Sequence, residues 1–546
     1  MKRLLPVLII LLVSVLSIVP LFAPGYFPMH DDTQVARVIE MGRALSEGQF
    51  PVRWVADLGF GYGYPIFNFY GPLPYYVGGV LYAMGVPALM ATKLMMGIGV
   101  ILPAIALYLV MTTYIGWHAA FVSSLLYLYA PYHAVQIYVR GSVGEYWTLI
   151  FWPIILYGVA RPHVLIGSIG LAGAIVSHTL LGYVTVLGSG IGLGIYWVYR
   201  ILRHTFDRPV FVNQVAILLL GLGLSAFYWL PALLEMEYTS VAGQVSVSAN
   251  YADHFVCPSQ LWSSLWGFGG SAPGCIDGMS FMLGKLHILL AVAGVVVWFM
   301  RRRKTVGFVF IAGTILTFVG TFFSMRFSQI IWDALPGFSY LQYPWRFLSV
   351  TGLGLSILGG GALLYIRNHA YRSVALVTVT VFILMMNLKW FVPQYMYVKQ
   401  NQEFESERDI RWRVSRISDE YLPSDLSRPT EESQAVFDTI SKDAAKSIVK
   451  LEESAVVSRY VVEATRASEI VIYNAYFPGW RYRVNNQEVT PRVEGGLPVL
   501  PIGIGQSVVE LVFTDTPVRT AGNMVSLVSV LMVGLLIYDK QRKAKR

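Results

Sequence analysis

Apolar runs recur along the whole chain, separated by polar stretches, and they set the expected architecture. A run of ~20 apolar residues is long enough for an α-helix to cross the ~30 Å hydrocarbon core of a bilayer. The pattern predicts thirteen such segments: 4–22, 72–90, 94–114, 118–137, 146–160, 164–177, 180–199, 212–230, 286–300, 306–323, 347–365, 374–390 and 521–538. We therefore predict an all-α polytopic membrane protein with about 12 to 13 membrane helices.

The composition agrees with this prediction and narrows the function. Of the 546 residues, 55% are hydrophobic and only 13% are charged. Soluble globular proteins carry about 25% charged residues, so roughly half of the usual solvated surface is missing. This excludes cytosolic enzymes, fibrous proteins, disordered chains and soluble nucleic-acid-binding proteins, and we expect no nucleic-acid partner.

The net charge of +9 follows the apolar segments rather than forming one patch. Basic residues flank these segments at positions 2–3, 200, 203, 208, 301–304, 367 and 372 and within 540–546. An excess of Lys and Arg marks cytoplasmic loops. The pattern predicts a multi-pass protein of the cell (plasma) membrane with both termini cytoplasmic.

Two cytoplasmic termini require an even number of crossings, so one of the thirteen segments does not cross. We expect this to be 118–137, a short or re-entrant piece that contains Pro131. This choice places Arg140, Glu145 and His178 on the external side. The apolar part of 4–22 exceeds the 7–15 residues typical of a signal peptide, so we expect a retained first helix.

Long polar regions predict the domains. Residues 1–390 form a transmembrane domain with external loops 23–71, 233–285 and 324–346, and residues 521–546 form a final helix with a basic tail. Residues 391–520 predict an external β-sandwich-like domain, because 456–462, 470–473 and 508–513 alternate like strands. Turns are predicted at 485–486 and 495–496. Cys257 and Cys275 lie in one loop and can form a disulfide if that loop is external.

The first external loop carries the strongest chemical signal. His30, Asp31 and Asp32 stand directly before an amphipathic segment. One aspartate at this position explains a helix cap. Two adjacent carboxylates also suit a general base or a divalent cation. Both interpretations stay open from the residues alone.

An aromatic stretch follows at 60–76 and includes Tyr64. Aromatic residues at the headgroup boundary are the expected interfacial belt. The density of rings here is higher than a belt needs, and sugar-binding grooves also use such rings. The sequence leaves both roles open.

Charged residues near membrane depth are costly and often functional. Arg140 and Glu145 stand between apolar stretches, where they either pair with each other or serve a site. His178 stands between two apolar segments, where a packing role is the plain alternative. Arg346 follows Gln342 at the start of segment 347–365.

Three arginines are candidates for binding a phosphate group. Arg53, Arg140 and Arg346 all fall at predicted external ends, and a guanidinium binds phosphate through paired donors. The alternative for each is an ordinary headgroup anchor.

These features together resemble the GT-C superfamily of integral-membrane glycosyltransferases and, within it, the bacterial YfhO-like proteins. Some of those relatives carry a label that refers to 6-pyruvoyl-tetrahydropterin synthase, but this chain has no compact soluble domain with a three-histidine zinc site. The resemblance covers essentially the whole chain. It is carried by Asp31-Asp32, the stretch from Tyr64-Pro65 to Pro72, Arg140 to Glu145, residues 342–347 and Phe477-Pro478-Gly479-Trp480.

The resemblance implies a membrane glycosyltransferase that uses a polyprenyl-phosphate-linked sugar at the external face. The acceptor would be an external glycan, lipid or protein, and membrane lipids would be partners. Asp31 or Asp32 would be the catalytic base, or would ligate a divalent metal ion (Mg or Mn). Substrate binding would fall to His30, Arg53, Tyr64, Arg140, Glu145, His178, Gln342 and Arg346.

Two functions from other classes stay open. The first is a transporter or flippase of lipid-linked saccharides, although matched halves broken by Gly or Pro are not apparent. The second is a noncatalytic scaffold for envelope assembly, in which the two aspartates only cap a helix.

Overall fold

The structure is a computed structural model that describes residues 4–241, 250–301, 304–364, 366–441 and 445–544. Positions 2, 3, 302, 303, 545 and 546, which the charge pattern assigns to cytoplasmic ends, lie outside the described residues, as does part of the predicted loop 233–285. The helices of eight or more residues are Leu4–Ile18, Gln34–Ser46, Leu73–Ala83, Ala88–Leu128, Phe151–Ala160, Val164–Ser177, Thr179–Leu202, Arg208–Leu224, Ala226–Leu234, Lys285–Arg301, Lys304–Ser324, Leu348–Gly360, His369–Asn387 and Pro517–Ala544. Shorter α-helices span Ile66–Phe69, Pro131–Val135, Val143–Thr148, Pro258–Trp262, Gln329–Ala334 and Asn401–Phe404.

The chain is a multi-pass membrane protein. Within the described ranges, eight helical segments are long and apolar enough to cross a bilayer, or nine if a bent pair counts as one span. Two further apolar helices, Val164–Ser177 and Lys285–Met300, are shorter. The predicted class, a polytopic helical protein with a β-rich region in its C-terminal half, is confirmed, whereas the predicted 12 to 13 membrane helices exceed the eight or nine long spans among the described residues.

The helix Ala88–Leu128 accounts for two of the predicted segments. Its 41 residues are interrupted at Gly116, which has φ 74° and ψ 165°. A positive φ is open to glycine at no steric cost, and a Cβ built on Gly116 would meet no atom within 4 Å. Gly116 therefore divides the helix into two helices rather than leaving one long rod.

One predicted segment has a much shorter helix than expected. In place of predicted segment 72–90 the structure has Leu73–Ala83, of 11 residues. At 1.5 Å per residue it covers roughly 16 Å, about half of the hydrocarbon core. Segment 118–137, expected to be the short or re-entrant piece, is broken: its helix ends at Leu128, and a separate helix Pro131–Val135 follows. The mean hydropathy of 72–90 concealed its prolines and glycines, which end the helix early.

Contact clustering divides the chain into two compact units. The first unit contains residues 1–31, 93–221 and 245–398, and the second contains 32–92, 222–244 and 399–546. The predicted domain boundaries at 390 and 520 stay a prediction. The division falls between Asp31 and Asp32, so the two adjacent aspartates belong to different units.

One end of the helices in the first unit is marked by contacts between short connections. The Arg161 guanidinium donates to the Thr113 carbonyl oxygen at 3.1 Å. The rings of His118 and His369 lie 6.0 Å apart. The chain therefore turns at 113–118, at 161 and before 369 at the same end.

The opposite end of the same unit gathers the other connections. The His30 amide donates to the Val139 carbonyl oxygen at 3.0 Å, and the Val256 amide donates to the Ser324 carbonyl oxygen at 2.8 Å. The second bond ties residues 250–284 to the end of the helix Lys304–Ser324. Residues 30, 139, 256 and 324 therefore share one end of this unit.

The second unit contains the β-rich region. Its strands are β1 Ser447–Glu453, β2 Val457–Ala464, β3 Ser468–Val471, β4 Trp480–Val484, β5 Gln487–Val489, β6 Arg492–Glu494, β7 Leu497–Ile502 and β8 Gly505–Phe513. They form a five-stranded sheet of order β1-β2-β8-β4-β5 and a three-stranded sheet of order β3-β7-β6, antiparallel throughout. The alternation of buried and half-buried residues along β2 is the period that the sequence shows.

Both predicted turns are confirmed as tight hairpins. Asn485 and Asn486 have φ of 53° and 64° between β4 and β5, and Gly495 and Gly496 have φ of 54° and 79° between β6 and β7. Two consecutive residues with positive φ are the signature of the hairpin turn that matches strand twist. Asn and Gly tolerate that conformation best, which is why these pairs predict the turns.

Candidate active site

A buried carboxylate in the first unit holds two arginines. Glu145 accepts from Arg140 Nη1 at 2.5 Å and from Arg140 Nη2 at 2.7 Å. It also accepts from Arg346 Nε at 3.0 Å. The side chains of Glu145, Arg140 and Arg346 are 1%, 7% and 11% exposed. The structure thus brings together three predicted site residues that are up to 206 positions apart.

The charges of this cluster do not balance. One carboxylate faces two guanidinium groups, and hydrogen bonds between ionised groups are the strong ones. Burial alone lowers the pKa of Arg140, but Glu145 outweighs it and the pKa is raised. A guanidinium group is protonated throughout the pH range of proteins, so these three side chains together carry one positive charge in excess.

Part of Arg346 is available to a ligand. Its Nη1 donates to the Leu341 carbonyl oxygen at 2.6 Å and its Nε to Glu145. Among the described residues no acceptor contacts its Nη2. Both guanidinium groups lie over aromatic rings, Arg140 over Trp345 at 4.3 Å and Arg346 over Tyr343 at 5.1 Å, but both Nη atoms of Arg140 already donate to Glu145. Arg346 is thus the member of the cluster that can still bind an anion through a guanidinium nitrogen.

Local packing fixes the position of Arg346. It lies in the 3₁₀ turn Pro344–Phe347, directly before the helix Leu348–Gly360. Phe347 belongs to a buried apolar cluster with Trp332 and Phe338. The packing of Phe347 after Arg346, and the stacking of Tyr343 on Trp345 before it, restrict the conformation of this turn and so the position of Arg346.

Arg140 is positioned by a turn that only glycine fits well. The π-helical turn Gln136–Arg140 ends at Gly141, which has φ 66° and ψ 26°. A Cβ on Gly141 would lie 2.1 Å from the Met29 sulfur. Glu145 then comes five residues after Arg140, in the helix Val143–Thr148.

His30 and Asp31 lie beside this turn. The Asp31 amide donates to the Arg140 carbonyl oxygen at 3.0 Å. His30 Nε2 lies 3.0 Å from the Phe268 carbonyl oxygen and donates to it. The negative charge of Asp31 is close enough to favour the charged form of Arg140. A half-exposed carboxylate therefore stands next to the buried cationic cluster.

Asp32 has a different environment, within the second unit. Its Oδ2 accepts from Arg413 Nη1 at 3.0 Å. Arg413 also binds Asp409, whose carboxylate pairs with Lys399 at 2.8 Å. Burial raises the pKa of Asp32, although Arg413 and Lys399 oppose it. Asp32 is part of an ion-pair network that connects distant segments of its unit.

His178 and Gln342 belong to the first unit. His178 is 7% exposed, and its Nδ1 accepts from the Leu181 amide at 3.1 Å, so it caps the helix Thr179–Leu202. It packs against Gly144, where a Cβ would lie 3.1 Å from the His178 ring. Gln342 has φ 62° and ψ −43°, a strained conformation for a non-glycine residue.

Arg53 and Tyr64 belong to the second unit. The Arg53 guanidinium is 4% exposed and donates to Asn68, Asn523 and the Phe227 carbonyl oxygen. Tyr64 is fully buried, and its hydroxyl accepts from the Tyr421 amide at 3.1 Å. The contacts of both side chains within their unit account for their burial.

Two ionic clusters of the second unit were missed by the sequence analysis. Glu235 accepts from Arg519 Nε at 2.9 Å, with Arg519 fully buried. Asp57 accepts from Arg43 at 2.5 Å and from Arg411 at 2.7 Å. The sequence did contain one sign of the Glu235–Arg519 cluster. Arg519 precedes the last apolar segment, at the end opposite to the basic tail that the charge pattern assigns to the cytoplasm.

The described side chains do not provide a complete set of ligands for the metal ion that Asp31 or Asp32 was expected to bind. In the part of the chain that the structure describes, no group of three or more His, Cys, Asp or Glu side chains is arranged to hold a metal ion. One oxygen of Asp32 already accepts from Arg413. The residues therefore do not fit a metal ion held by protein ligands alone.

The two cysteines form the expected disulfide. Cys257 and Cys275 are joined, with their Cα atoms 5.6 Å apart. Two residues after Cys275, Asp277 accepts from Gln260 and Ser264 and so holds the segment after the second cysteine against the start of the loop. We refer to residues 257–275 as the disulfide ring.

No family model matches the chain, and no curated protein matches it. Several solved structures are similar to it. The arabinofuranosyltransferase AftD from Mycobacteria has 15% identity and a TM-score of 0.45. ArnT from Cupriavidus metallidurans bound to undecaprenyl phosphate has 14% identity and a TM-score of 0.38. An oligosaccharyltransferase from Archaeoglobus fulgidus tethered with an acceptor peptide has 13% identity and a TM-score of 0.45.

These similarities extend over 70%, 69% and 78% of this chain, respectively. They extend over 27%, 63% and 61% of the three solved chains. The chain therefore spans less than two thirds of the length of each. No residue of this chain takes a role from them.

Proposed function

We propose that this protein is a membrane glycosyltransferase that moves a sugar from a polyprenyl-phosphate-linked donor to an envelope lipid, polymer or protein. The observation that carries the proposal is the arrangement of Asp31, Arg140, Glu145 and Arg346 in the first unit. It combines a carboxylate suited to accept a proton with a buried cationic cluster suited to a phosphate group.

The excess positive charge supports a phosphate leaving group. Glu145 neutralises one of its two arginines, and Arg346 Nη2 has no acceptor among the described residues. A guanidinium in a site shielded from water stabilises developing negative charge strongly, because no solvent has to reorganise. The charge that would develop is on the phosphate of the donor lipid.

The transfer is proposed to proceed as a single displacement. Asp31 accepts the proton of the acceptor hydroxyl, whose oxygen attacks the anomeric carbon of the donor sugar. The bond from that carbon to the phosphate oxygen breaks, and the polyprenyl phosphate leaves with both electrons. Arg346 and Arg140 stabilise the leaving group. The configuration at the anomeric carbon is inverted.

The environments of the two adjacent aspartates support Asp31 as the base. Asp32 accepts from Arg413 and lies in an ion-pair network of the second unit. Asp31 is half-exposed and its backbone is bonded to Arg140. A base has to act beside the groups that bind the donor phosphate, and Asp31 belongs to the same unit as Arg140, Glu145 and Arg346.

We also propose that the site is external and that the termini are cytoplasmic. Disulfides persist in oxidising compartments, and the disulfide ring lies at the same end of the first unit as His30. Arg161 lies at the opposite end, where an excess of basic residues indicates the cytoplasm. The proposed topology has twelve crossings, which are the eight long segments with Ala88–Leu128 counted as two, the bent pair and the two shorter apolar helices. Leu73–Ala83 then stays outside the bilayer core.

We propose a divalent metal ion only as one that is held jointly by a carboxylate of this chain and the substrate phosphate. Mg²⁺ is commonly held by one or two carboxylates together with substrate phosphates and water. Asp31 is the one residue here that would join such an ion, which would supply further positive charge at the donor phosphate. Transfer measured with EDTA, and again after addition of Mg²⁺ or Mn²⁺, tests this.

The proposed function is tested by sugar transfer with purified protein in nanodiscs, using a panel of labelled polyprenyl-phosphate sugars and an envelope lipid extract as acceptor. We expect wild type to turn over and Asp31→Asn to lose activity by about 10²-fold or more, since it lacks the base. The matched control is Glu469→Gln, whose carboxylate pairs with Arg492 on the exposed β region.

Two outcomes contradict the proposal. If Asp31→Asn transfers as fast as wild type, Asp31 is not the base. If wild type binds donor lipid and moves it between leaflets without turnover, the protein is a transporter or flippase.

A further inference from the structure

The disulfide ring is tied to the candidate site at several points within the first unit. Phe268, inside the ring, presents its carbonyl oxygen to His30 Nε2 at 3.0 Å. Ser271, also inside the ring, has its hydroxyl 2.6 Å from His254 Nδ1. The His254 ring lies 4.9 Å from that of Tyr343, three residues before Arg346. The ring thus reaches both segments that carry site residues.

A further contact attaches the ring to the helical body of the unit. Trp266 stacks on Trp390 with ring centres 4.9 Å apart. Trp390 ends the span His369–Trp390. The ring therefore rests on a rigid element and can hold its carbonyl in place.

The orientation of the Phe268 carbonyl is fixed by pairing between the disulfide ring and the segment that directly follows it. Phe268 and Met279 form an antiparallel bridge, and the Gly269 amide donates to the Gly278 carbonyl oxygen at 2.9 Å. A Cβ on Gly278 would lie 1.9 Å from the Gly270 carbonyl oxygen. The two backbones approach this closely only because glycine occupies position 278.

The segment that receives this carbonyl is short. His30 is exposed, and its side chain bonds to Phe268. On its other side, the amides of His30 and Asp31 bond to Val139 and Arg140. The segment 29–31 is therefore clamped between the turn at 139–141 and the disulfide ring.

We propose that the disulfide ring is a positioning element for Asp31, acting through the Phe268 carbonyl and the His30 ring, so that the site is competent only when Cys257 and Cys275 are joined. This rests on the proposed function for its catalytic consequence. Its structural consequence does not, because the clamp on residues 29–31 can be measured without turnover. His30 is then a positioning residue, and it acts through the hydrogen bond that its Nε2–H donates to the Phe268 carbonyl oxygen.

The first test is hydrogen exchange at the amides of residues 29–31, in wild type and in Cys257→Ser/Cys275→Ser. We expect exchange to rise by roughly tenfold or more in the variant, because opening the clamp exposes these amides. Exchange in β2 and β8 is the internal control and should not change. Equal exchange at 29–31 in both proteins overturns the proposal.

A second variant leaves the cysteines in place. Gly278→Ala pushes the segment after Cys275 away from Gly270 in the disulfide ring, so we expect the same rise at residues 29–31 with the disulfide intact. Gly274→Ala is the matched control in the same ring, since no atom lies within 4 Å of its Cβ position, although its φ of 79° adds local strain. If both variants raise exchange equally, the Phe268 contact is not the cause.

A third test separates positioning from proton transfer by His30. His30→Gln keeps an N–H donor for the Phe268 carbonyl, whereas His30→Leu has none. We expect His30→Gln to retain most of the exchange protection and of the sugar transfer, and His30→Leu to lose roughly 10²-fold in kcat with little change in donor KM. Equal loss in both variants overturns the positioning role. Wild type without any transfer refutes the proposed function and leaves the exchange result to decide this inference.

Discussion

The buried carboxylate of Glu145 is the residue on which the candidate site depends most. It is 1% exposed and accepts from two guanidinium groups. Removing one partner from a buried ionic group is costly, because the remaining charge is left without compensation. The role that these contacts indicate for Glu145 is to hold the two arginine side chains in place rather than to transfer a proton.

We expect Glu145→Gln to lower the free energy of unfolding by roughly 3 kcal/mol, because two buried cations would then repel each other without a carboxylate between them. Thermal unfolding in a mild detergent measures the effect. The matched control is Glu469→Gln in the exposed pair with Arg492, where water screens the charges and no measurable change is expected. An equal shift in both variants contradicts the buried role.

At the residue scale the sequence predicted the members of the site better than their partners. Arg140 and Glu145 were expected to pair or to serve a site, and the structure has them pair beside Asp31. The sequence did not separate Asp31 from Asp32, because the distinction comes from Arg413, which lies 381 positions from Asp32. Contacts at such separation leave no local pattern.

At the scale of elements, the turn at 136–141 positions Arg140. It needs the left-handed conformation at Gly141 and the close approach of Met29. A non-glycine residue there would meet both backbone strain and a steric clash. The turn thus links the identity of one glycine to the position of a site arginine.

We expect Gly141→Ala to destabilise the protein by about 1 to 3 kcal/mol and to reduce sugar transfer. Gly188→Ala is the matched control, because it lies in the helix Thr179–Leu202 with no atom within 4 Å of its Cβ position. Alanine favours a helix over glycine, so this control should keep or raise stability. Thermal unfolding and transfer, measured on both variants, check the prediction, and equal losses would refute it.

The element that sequence analysis misjudged has a physical reason. Segment 72–90 has the hydrophobicity of a span, yet its helix ends at Ala83 after 11 residues. Segment 118–137 contains a proline, and its helix is broken after Leu128, shortly before Pro131. Hydropathy measures preference for lipid, whereas the ends of a helix depend on Gly, Pro and on packing partners that a window average does not contain.

At the scale of the whole molecule, the contacts at two ends of the first unit make its orientation testable. Thr205 is exposed beside the basic Arg203, and Phe327 is 72% exposed after the end of a span. The described cysteines are joined in the disulfide, so wild type gives no labelling background.

We expect Phe327→Cys to react with a membrane-impermeant maleimide in intact cells, and Thr205→Cys to react only after the cells are permeabilised. The reason is that an odd number of crossings separates the two positions in the proposed topology. The reverse pattern would place the site in the cytoplasm. If both cysteines react in intact cells, the number of crossings between positions 205 and 327 is even rather than odd.

The fold class was predictable because it depends on composition and on the recurrence of apolar runs. The GT-C and YfhO-like resemblance stays a prediction, since no family model matches the chain. The division of the chain into two units was not predictable, because each unit combines three separate stretches of sequence.

The pairing of Arg140 with Glu145 also bears on how the chain enters the bilayer during synthesis. The two residues are five positions apart, so they leave the ribosome together, whereas Arg346 follows 201 residues after Glu145. A charge in an inserting apolar segment is costly, and less so near the end of the segment, where these two residues lie. Arg140 is therefore available to Glu145 as soon as both are made, whereas Arg346 can join the cluster only after a further 201 residues have been synthesised.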